Sequence, residues 1–586
     1  MKTYIYTLKE FRGKLKDILN KKNENIKFAL DLKDTTVLDQ LLNKLRDDLL
    51  VGVETGYVDS MFRDEYYNYF GTKLHSYGRN CIKLSFFEKS IKKRGKRVID
   101  AYDDNGDYFI DYREHSLLED SYLGFAIIRP TMACLGRNVI SPEAFEFKDV
   151  KDKNDIETCQ VTMRISALGL EVKAKGFPHC TQDREMMSCA ETTLWAIADY
   201  YGHKYSTYKS VLPSDIIEAL RPSYNHRMLP SMGLTFEQIS HGLMSCGFSP
   251  LHYILSKTPI SEDNIDNYII DEEKMEVLTC YVESGFPLAL CLQGKRNVEL
   301  PNKDETDYIT HAAVCIGRVK TKVKELKPQL YKFLVEEKGS KPQVREVEFN
   351  VWNRSIRRFV INDDNEPCYK IASLEQPYNE EEKVEWKDVK ITDFIVPLPS
   401  RVYMDAYLAI RTSKAIFSND ICDHLANQER ELGLPTIRTF LASGRSFRKH
   451  IAFSRKLNEY FKTILLELDL PHFIWVSELG TSKDFEEDAI KGLLILDATE
   501  SPKLKNDNII TREEEVEFTP SLLYDSPDIS IIFYIYKNKF IYYDAESHEL
   551  IDCDLSKKQN NQTLTDKFEI PMYKENIHNN SYKSFF

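Results

Sequence analysis

The apolar residues recur at two periods, helical and alternating, and the changes of period divide the chain into three blocks. From Leu8 the spacing is helical (Leu8, Phe11, Leu15, Leu19) along an amphipathic, lysine-rich segment. The aromatic-rich stretch YVDSMFRDEYYNYF (57–70) follows, and YLGFAIIRP (122–130) reads as a strand. In CLGRNVISP (134–142) a turn is expected, with Pro130 and Gly136 interrupting the pattern. No polar constellation accompanies the aromatics, which assigns them to a packed core. Residues 1–160 thus read as an N-terminal α+β domain. Residues 161–400 alternate helical and strand patterns and are expected to form a second unit. In the third, 401–586, helical MDAYLAIRTSKAIF and RSFRKHIAFSRKLNEYF give way to strands. These are HFIWVSEL, GLLILDAT and the hairpin ISIIFYIY-KNK-FIYYDAE, which predict an antiparallel sheet with helices on one face. The asparagine-rich tail after Lys557 is expected to be loosely ordered.

Composition narrows the function classes. At 586 residues the chain is too long for one ordinary core. Its net charge of -13 offers no electrostatic footprint for nucleic acid. The N-terminal MKTYIYTLKEFRGK has no apolar signal-peptide core, and no apolar run nears membrane-helix length; the best spans Ile529 to Tyr536. Twelve cysteines are scattered from Cys81 to Cys553 without a C-x-x-C pair, which argues against a zinc module or disulfide framework and for a reducing cytoplasm. The expectation is a cytoplasmic protein with no membrane or nucleic-acid partner, no cofactor and no metal. His179-Cys180 and His226 lack ligand spacing and read as ordinary loop residues.

The chemistry concentrates in QDREMMSCAETTLW (182–195). Ser188 and Glu191 form an S-x-x-E capping box, so Cys189 opens a helix that runs to about Tyr201, with Gly202 as the stop signal. A thiol at a helix N-terminus ionises more readily, as a nucleophile requires. Gln182, on the preceding loop, can join the cysteine's backbone N–H in an oxyanion hole. A thiolate enzyme also needs an imidazole and a group that fixes it. His311 lies on the strand YITHAAVCIG (308–317), after GFPLALCL (285–292). The strand RRFVINDDNEP (357–367) delivers Asn362, Asp363 and Asp364 as its alternation ends. Three antiparallel strands could present both groups over the cysteine helix. The charged arm between them, Arg318 to Arg357, reads as a solvated hairpin extension.

In order and context these segments resemble the papain-like cysteine peptidases of the double-glycine-leader, bacteriocin-processing type. QDREMMSC, ADYYG, GLTFEQISHGLMSCG, GFPLALCL, THAAVCIG and VINDDNEP stand in the order of that family's motifs. The resemblance implies an α+β fold: a papain-like core, with the cysteine helix packed on an antiparallel sheet, flanked by N- and C-terminal α+β domains. It places Cys189 as nucleophile, His311 as base, Asp363 as orienter and Gln182 as oxyanion donor. Asn362 and Asp364 remain alternatives to Asp363 on the same turn. Ala190 replaces the glycine usual after the cysteine, and Asp364 the proline usual after the aspartate. The leading expectation is a cytoplasmic peptidase that cuts a peptide or isopeptide bond of a protein or peptide substrate, with flanking domains that select substrate or answer a regulatory protein partner. A transglutaminase or deamidase would use the same residues. An inactive protein-binding module is the third reading, opposed by the intact cysteine, histidine and aspartate.

Overall fold

The structure is a computed structural model. It describes residues 2–574 apart from 21–33, 89–91, 102–107, 111–114, 259–264, 297–306, 336–342, 379–385, 426–432, 501–530, 553–567 and a few single or paired positions. His226 lies outside the described residues. The chain is mixed α+β, built on three large sheets. Among the described residues no helix is long and apolar enough to cross a membrane.

The first sheet has five antiparallel strands in the order Lys2–Thr7, Leu49–Tyr57, Cys81–Glu88, Tyr122–Ile128 and Leu135–Ile140. The helix Leu8–Asn20 buries Leu8, Phe11 and Leu15, three of the expected helical positions. The turn expected at Gly136 is instead part of a strand. A Cβ there would stand 2.7 Å from Cγ of Arg129, so the glycine makes room for a buried arginine.

The second sheet is wholly antiparallel, in the order Phe248–Ile254, Lys390–Pro399, Leu288–Arg296, Asp307–Val319, Arg358–Asn362 and Lys370–Ser373. The cysteine helix, Cys189–Lys204, packs across Asp307–Val319 and Leu288–Arg296. Elements near residue 160 cross the expected boundary in both directions. Ile156–Thr158 pairs with the end of the Asp307–Val319 strand, while the hairpin Val161–Ala167/Leu170–Gly176 packs on the first sheet.

The third sheet has eight strands, from Pro328–Val335 through Gln343–Val351, Pro435–Ser443, Phe473–Thr481, Gly492–Asp497, Ile531–Tyr536 and Lys539–Asp544 to Glu549–Asp552. The charged arm between His311 and Asp363 supplies the first two of these, so it is an edge of the sheet and not a solvated extension. The sheet is antiparallel except where Asn350 and Val351 run parallel to Thr436 and Ile437. Part of the tail expected to be loose is also ordered: Phe568, Ile570 and Tyr573 are buried. The reason is polar, since Tyr573 donates its N–H to Glu478 and accepts from Arg438 through its carbonyl.

The cysteine helix does not stop at Gly202 but runs through it to Lys204. A Cβ at Gly202 would meet the backbone nitrogen of Ser210 at 2.3 Å and the carbonyl carbon of Lys209 at 2.5 Å. This glycine therefore serves a close backbone approach. In an open helix Gly202→Ala would add up to about 1 kcal/mol of stability. Here the overlap is with backbone and should dominate, for a net loss of about 1–3 kcal/mol. The expected result is a lower urea midpoint than wild type. A midpoint at or above wild type would show that the 209–210 loop yields and that the contact is not what requires glycine.

Candidate active site

The site is built from two turns that meet at the end of the cysteine helix. The first is the loop from Gln182 to Ser188. Oδ1 of buried Asp183 accepts backbone N–H groups from Glu185, Met186 and Met187 at 2.8, 2.8 and 2.9 Å. One carboxylate oxygen thus folds the loop around itself, and the buried side chains of Met186 and Met187 pin it beneath. At the helix entrance, the Glu191 carboxylate accepts from both the N–H and the hydroxyl of Ser188. Cys189 is then the first residue of the helix, with its side chain half-buried. From the first sheet, Arg129 donates to the Thr181 carbonyl at 2.9 Å while paired with buried Glu65.

The second turn carries Asp363, the expected orienter, with its neighbours Asn362 and Asp364. Asn362 lies opposite Val314 in the sheet, so its side chain shares Val314's face and turns from that of His311. Its Oδ1 accepts the Tyr369 N–H instead. One residue further on, Asp363 faces the imidazole, with Oδ1 3.0 Å from His311 Nε2. Oδ1 of Asp364 stands farther off, at 3.6 Å. Of the three neighbours left open by the sequence, Asp363 makes the hydrogen bond. Cys189 interacts with the same imidazole, whose Nε2 is taken by the carboxylate. Burial alone would lower the His311 pKa. Asp363 and Cys189 outweigh it and hold the pKa well above the ordinary value.

Compared with known proteins, the chain matches no protein-family model, and no curated protein matches it in sequence. The chemistry must therefore be read from the residues themselves.

Gln182 is held by a residue that the motifs did not mark. Its Nε2 donates to Oδ1 of Asn365 at 2.6 Å, and a primary amide keeps a second N–H for a ligand. Asn365 in turn donates its backbone N–H to Asp363 Oδ1 at 2.8 Å, so one residue ties the oxyanion candidate to the orienter. His179 is no ordinary loop residue. Buried, it bonds through Nε2 to the Asp363 carbonyl at 3.0 Å and through Nδ1 to Nδ2 of Asn138 at 2.9 Å. Burial lowers its pKa and keeps it neutral. Two aromatics complete the surroundings: Trp386 meets the His311 ring edge-on at 5.2 Å, and the Tyr378 hydroxyl donates to Asp363 Oδ2 at 2.5 Å. Neither lies within a recognisable motif. Their only signal is aromatic character in a charged segment, which also suits a core residue.

Among the described residues, His311, Asp363 and Asp364 offer ligand atoms within 4.8 Å of one another, close enough for a metal ion. The same closeness suits an imidazolium between two carboxylates.

Of the ten described cysteines, Cys189 should be alkylated first. Burial pushes the thiols of Cys180 and Cys368 up to about 12, and that of half-buried Cys246 up to about 11. Limiting iodoacetamide at pH 7, followed by peptide mapping, reads the order. Faster labelling of Cys246, the other half-buried thiol, would remove Cys189 from the nucleophile's role.

Proposed function

We propose that the protein is a cytoplasmic cysteine peptidase with a papain-like core, cutting a peptide or isopeptide bond of a protein substrate. One observation carries the reading: the His311 imidazole is bonded to a buried aspartate, and that carboxylate and the thiol that opens a helix both raise its pKa. A thiolate at Cys189 attacks the substrate's carbonyl carbon, and the carbonyl oxygen becomes an oxyanion. Gln182's remaining amide N–H and the Cys189 backbone N–H are the donors suited to that charge. The carbon–nitrogen bond then breaks as the His311 imidazolium gives its proton to the leaving amine, leaving a thioester. The now neutral imidazole takes a proton from water, whose oxygen attacks the thioester. The acid product leaves and the thiolate–imidazolium pair is restored. Asp363 remains ionised throughout and keeps the ring's Nε2 in place.

This assignment separates the residues by role. Cys189→Ala and His311→Ala should abolish turnover. Gln182→Ala should slow acylation roughly 10²–10³-fold, the usual effect of losing one oxyanion donor. Asp363→Ala should cause intermediate damage, and Asp364→Ala less. Cells making the native chain or its Cys189→Ala variant, compared by mass spectrometry for new protein termini, supply the substrate for single-turnover assays. A Cys189-dependent crosslink or deamidated glutamine without new termini would overturn hydrolysis in favour of acyl transfer or deamidation. Wild-type rates for Gln182→Ala would move the oxyanion hole elsewhere.

A further inference from the structure

The carboxylate that orients His311 is itself held by a group outside the triad. Tyr378 is buried, and its hydroxyl is 2.5 Å from Asp363 Oδ2, the oxygen not used by His311. Burial and then the Asp363 charge push the phenol's pKa well above its ordinary value, so the hydroxyl keeps its proton and acts as donor. Packing fixes the ring around that bond. Lys370 Nζ sits 3.9 Å from the ring centroid and is tied at 2.7 Å to Glu366. Trp386 packs against the Tyr378 ring at 5.0 Å and extends to His311.

From this geometry we infer that Tyr378 is a positioning residue for the proposed peptidase, fixing the rotation of the Asp363 carboxylate so that Oδ1 addresses His311. A carboxylate bonded through one oxygen can pivot about its Cβ–Cγ bond. Bonds to both oxygens, with Oδ1 also accepting the Asn365 N–H, remove that freedom. A fixed carboxylate stabilises the imidazolium more than a pivoting one does, and a stabler imidazolium keeps the thiolate paired with it to higher pH. The Tyr378 hydroxyl bonds to the Asp363 carboxylate, so its effect on His311 passes through that group.

The inference rests on the peptidase reading, and the rate of Cys189 alkylation by iodoacetamide as a function of pH tests the two separately without any substrate. In wild type, a thiolate–imidazolium pair gives a plateau of reactivity ending in a second limb where His311 loses its proton. Tyr378→Phe removes only the hydroxyl. It should keep the wild-type melting temperature to within a few degrees and move the upper limb to lower pH by about one unit. With a substrate, kcat should fall about tenfold at unchanged KM. A merely structural tyrosine would lower the melting temperature and leave the limb in place. An upper limb that stays put or moves up overturns the inference alone. A wild-type profile that rises in a single step, as a free thiol does, overturns the peptidase reading and the inference with it.

Discussion

A carboxylate with 1% of its surface exposed has no water to solvate it, so the protein must. Asp363 is in that position, and much of the site follows from meeting its need. Its two oxygens draw in His311, the Asn365 N–H and the Tyr378 hydroxyl, and its carbonyl takes His179. Each of these bonds reaches a different part of the chain. His311 brings the middle of the second sheet. Asn365 brings Gln182 and the loop before the cysteine. Through Asn138, His179 brings the edge of the first sheet, where the two residues also exchange backbone bonds at 2.7 and 3.0 Å. The active-site geometry is therefore set by units that meet around one charge. The first sheet contributes through Asn138, which holds His179, and through Arg129, just past its fourth strand, which donates to the Thr181 carbonyl.

A second buried charge plays the same part on the opposite side. Glu283, at the end of the helix Glu272–Glu283, accepts from Arg318, Arg438 and the indole of Trp352. Arg318 lies on the histidine strand and also pairs with Glu157, while Arg438 lies on the third sheet and also pairs with Glu478. Five charges of alternating sign thus join the histidine strand to the third sheet. Losing one partner from such a chain costs about 3–5 kcal/mol, because the charge left behind cannot reach water. Apolar packing of equal volume could be as stable, but it would not fix register so narrowly. A cavity of about 370 Å³ opens beside this network, lined by Arg318, Trp352, Arg438 and Phe485. Its arginines are already matched by carboxylates, and of its lysines Lys322 pairs with Asp155 and Lys574 with Asp488.

These buried charges mark the limit of what the sequence shows. Elements with a clean apolar period were legible: the cysteine helix, the strand carrying His311, the strand leading to Asp363, and the strands of the third sheet from Phe473 to Asp544. The helix Glu272–Glu283 was not. It reads EEKMEVLTCYVE, and the two acids it buries, Glu276 and Glu283, break the stripe that would have identified it. The arm from Arg318 to Arg357 looked solvated for the same reason, since its charges serve Glu276 and Glu283 in the interior. Gly136 and Gly202 read as interruptions because glycine marks turns more often than close approaches. The candidate site was legible to the level of Cys189, His311, Gln182 and a three-residue turn. The choice of Asp363 within that turn needed strand register, which a bulge between Cys315 and Gly317 shifts.

His179 and His311 show why motif spacing could not have completed the site. Both rings bond through Nε2 to Asp363, one to its carbonyl and the other to its carboxylate. What separates them is the partner of the other nitrogen. At His179, Nδ1 meets the amide NH₂ of Asn138, which also donates to the Gly136 carbonyl at 3.1 Å. A donor there requires a lone pair on Nδ1, so the neutral ring with its proton on Nε2 is the form that fits. At His311, the Asp363 carboxylate and Cys189 both raise the pKa, which favours the imidazolium. Burial opposes charge in both places, and at His311 the anionic partners reverse it. One histidine therefore serves as a fixed strut, and the other is the one whose pKa its partners raise. The assignment is made by residues 41 and 122 positions away in sequence, Asn138 and Cys189, which no local pattern around either histidine contains.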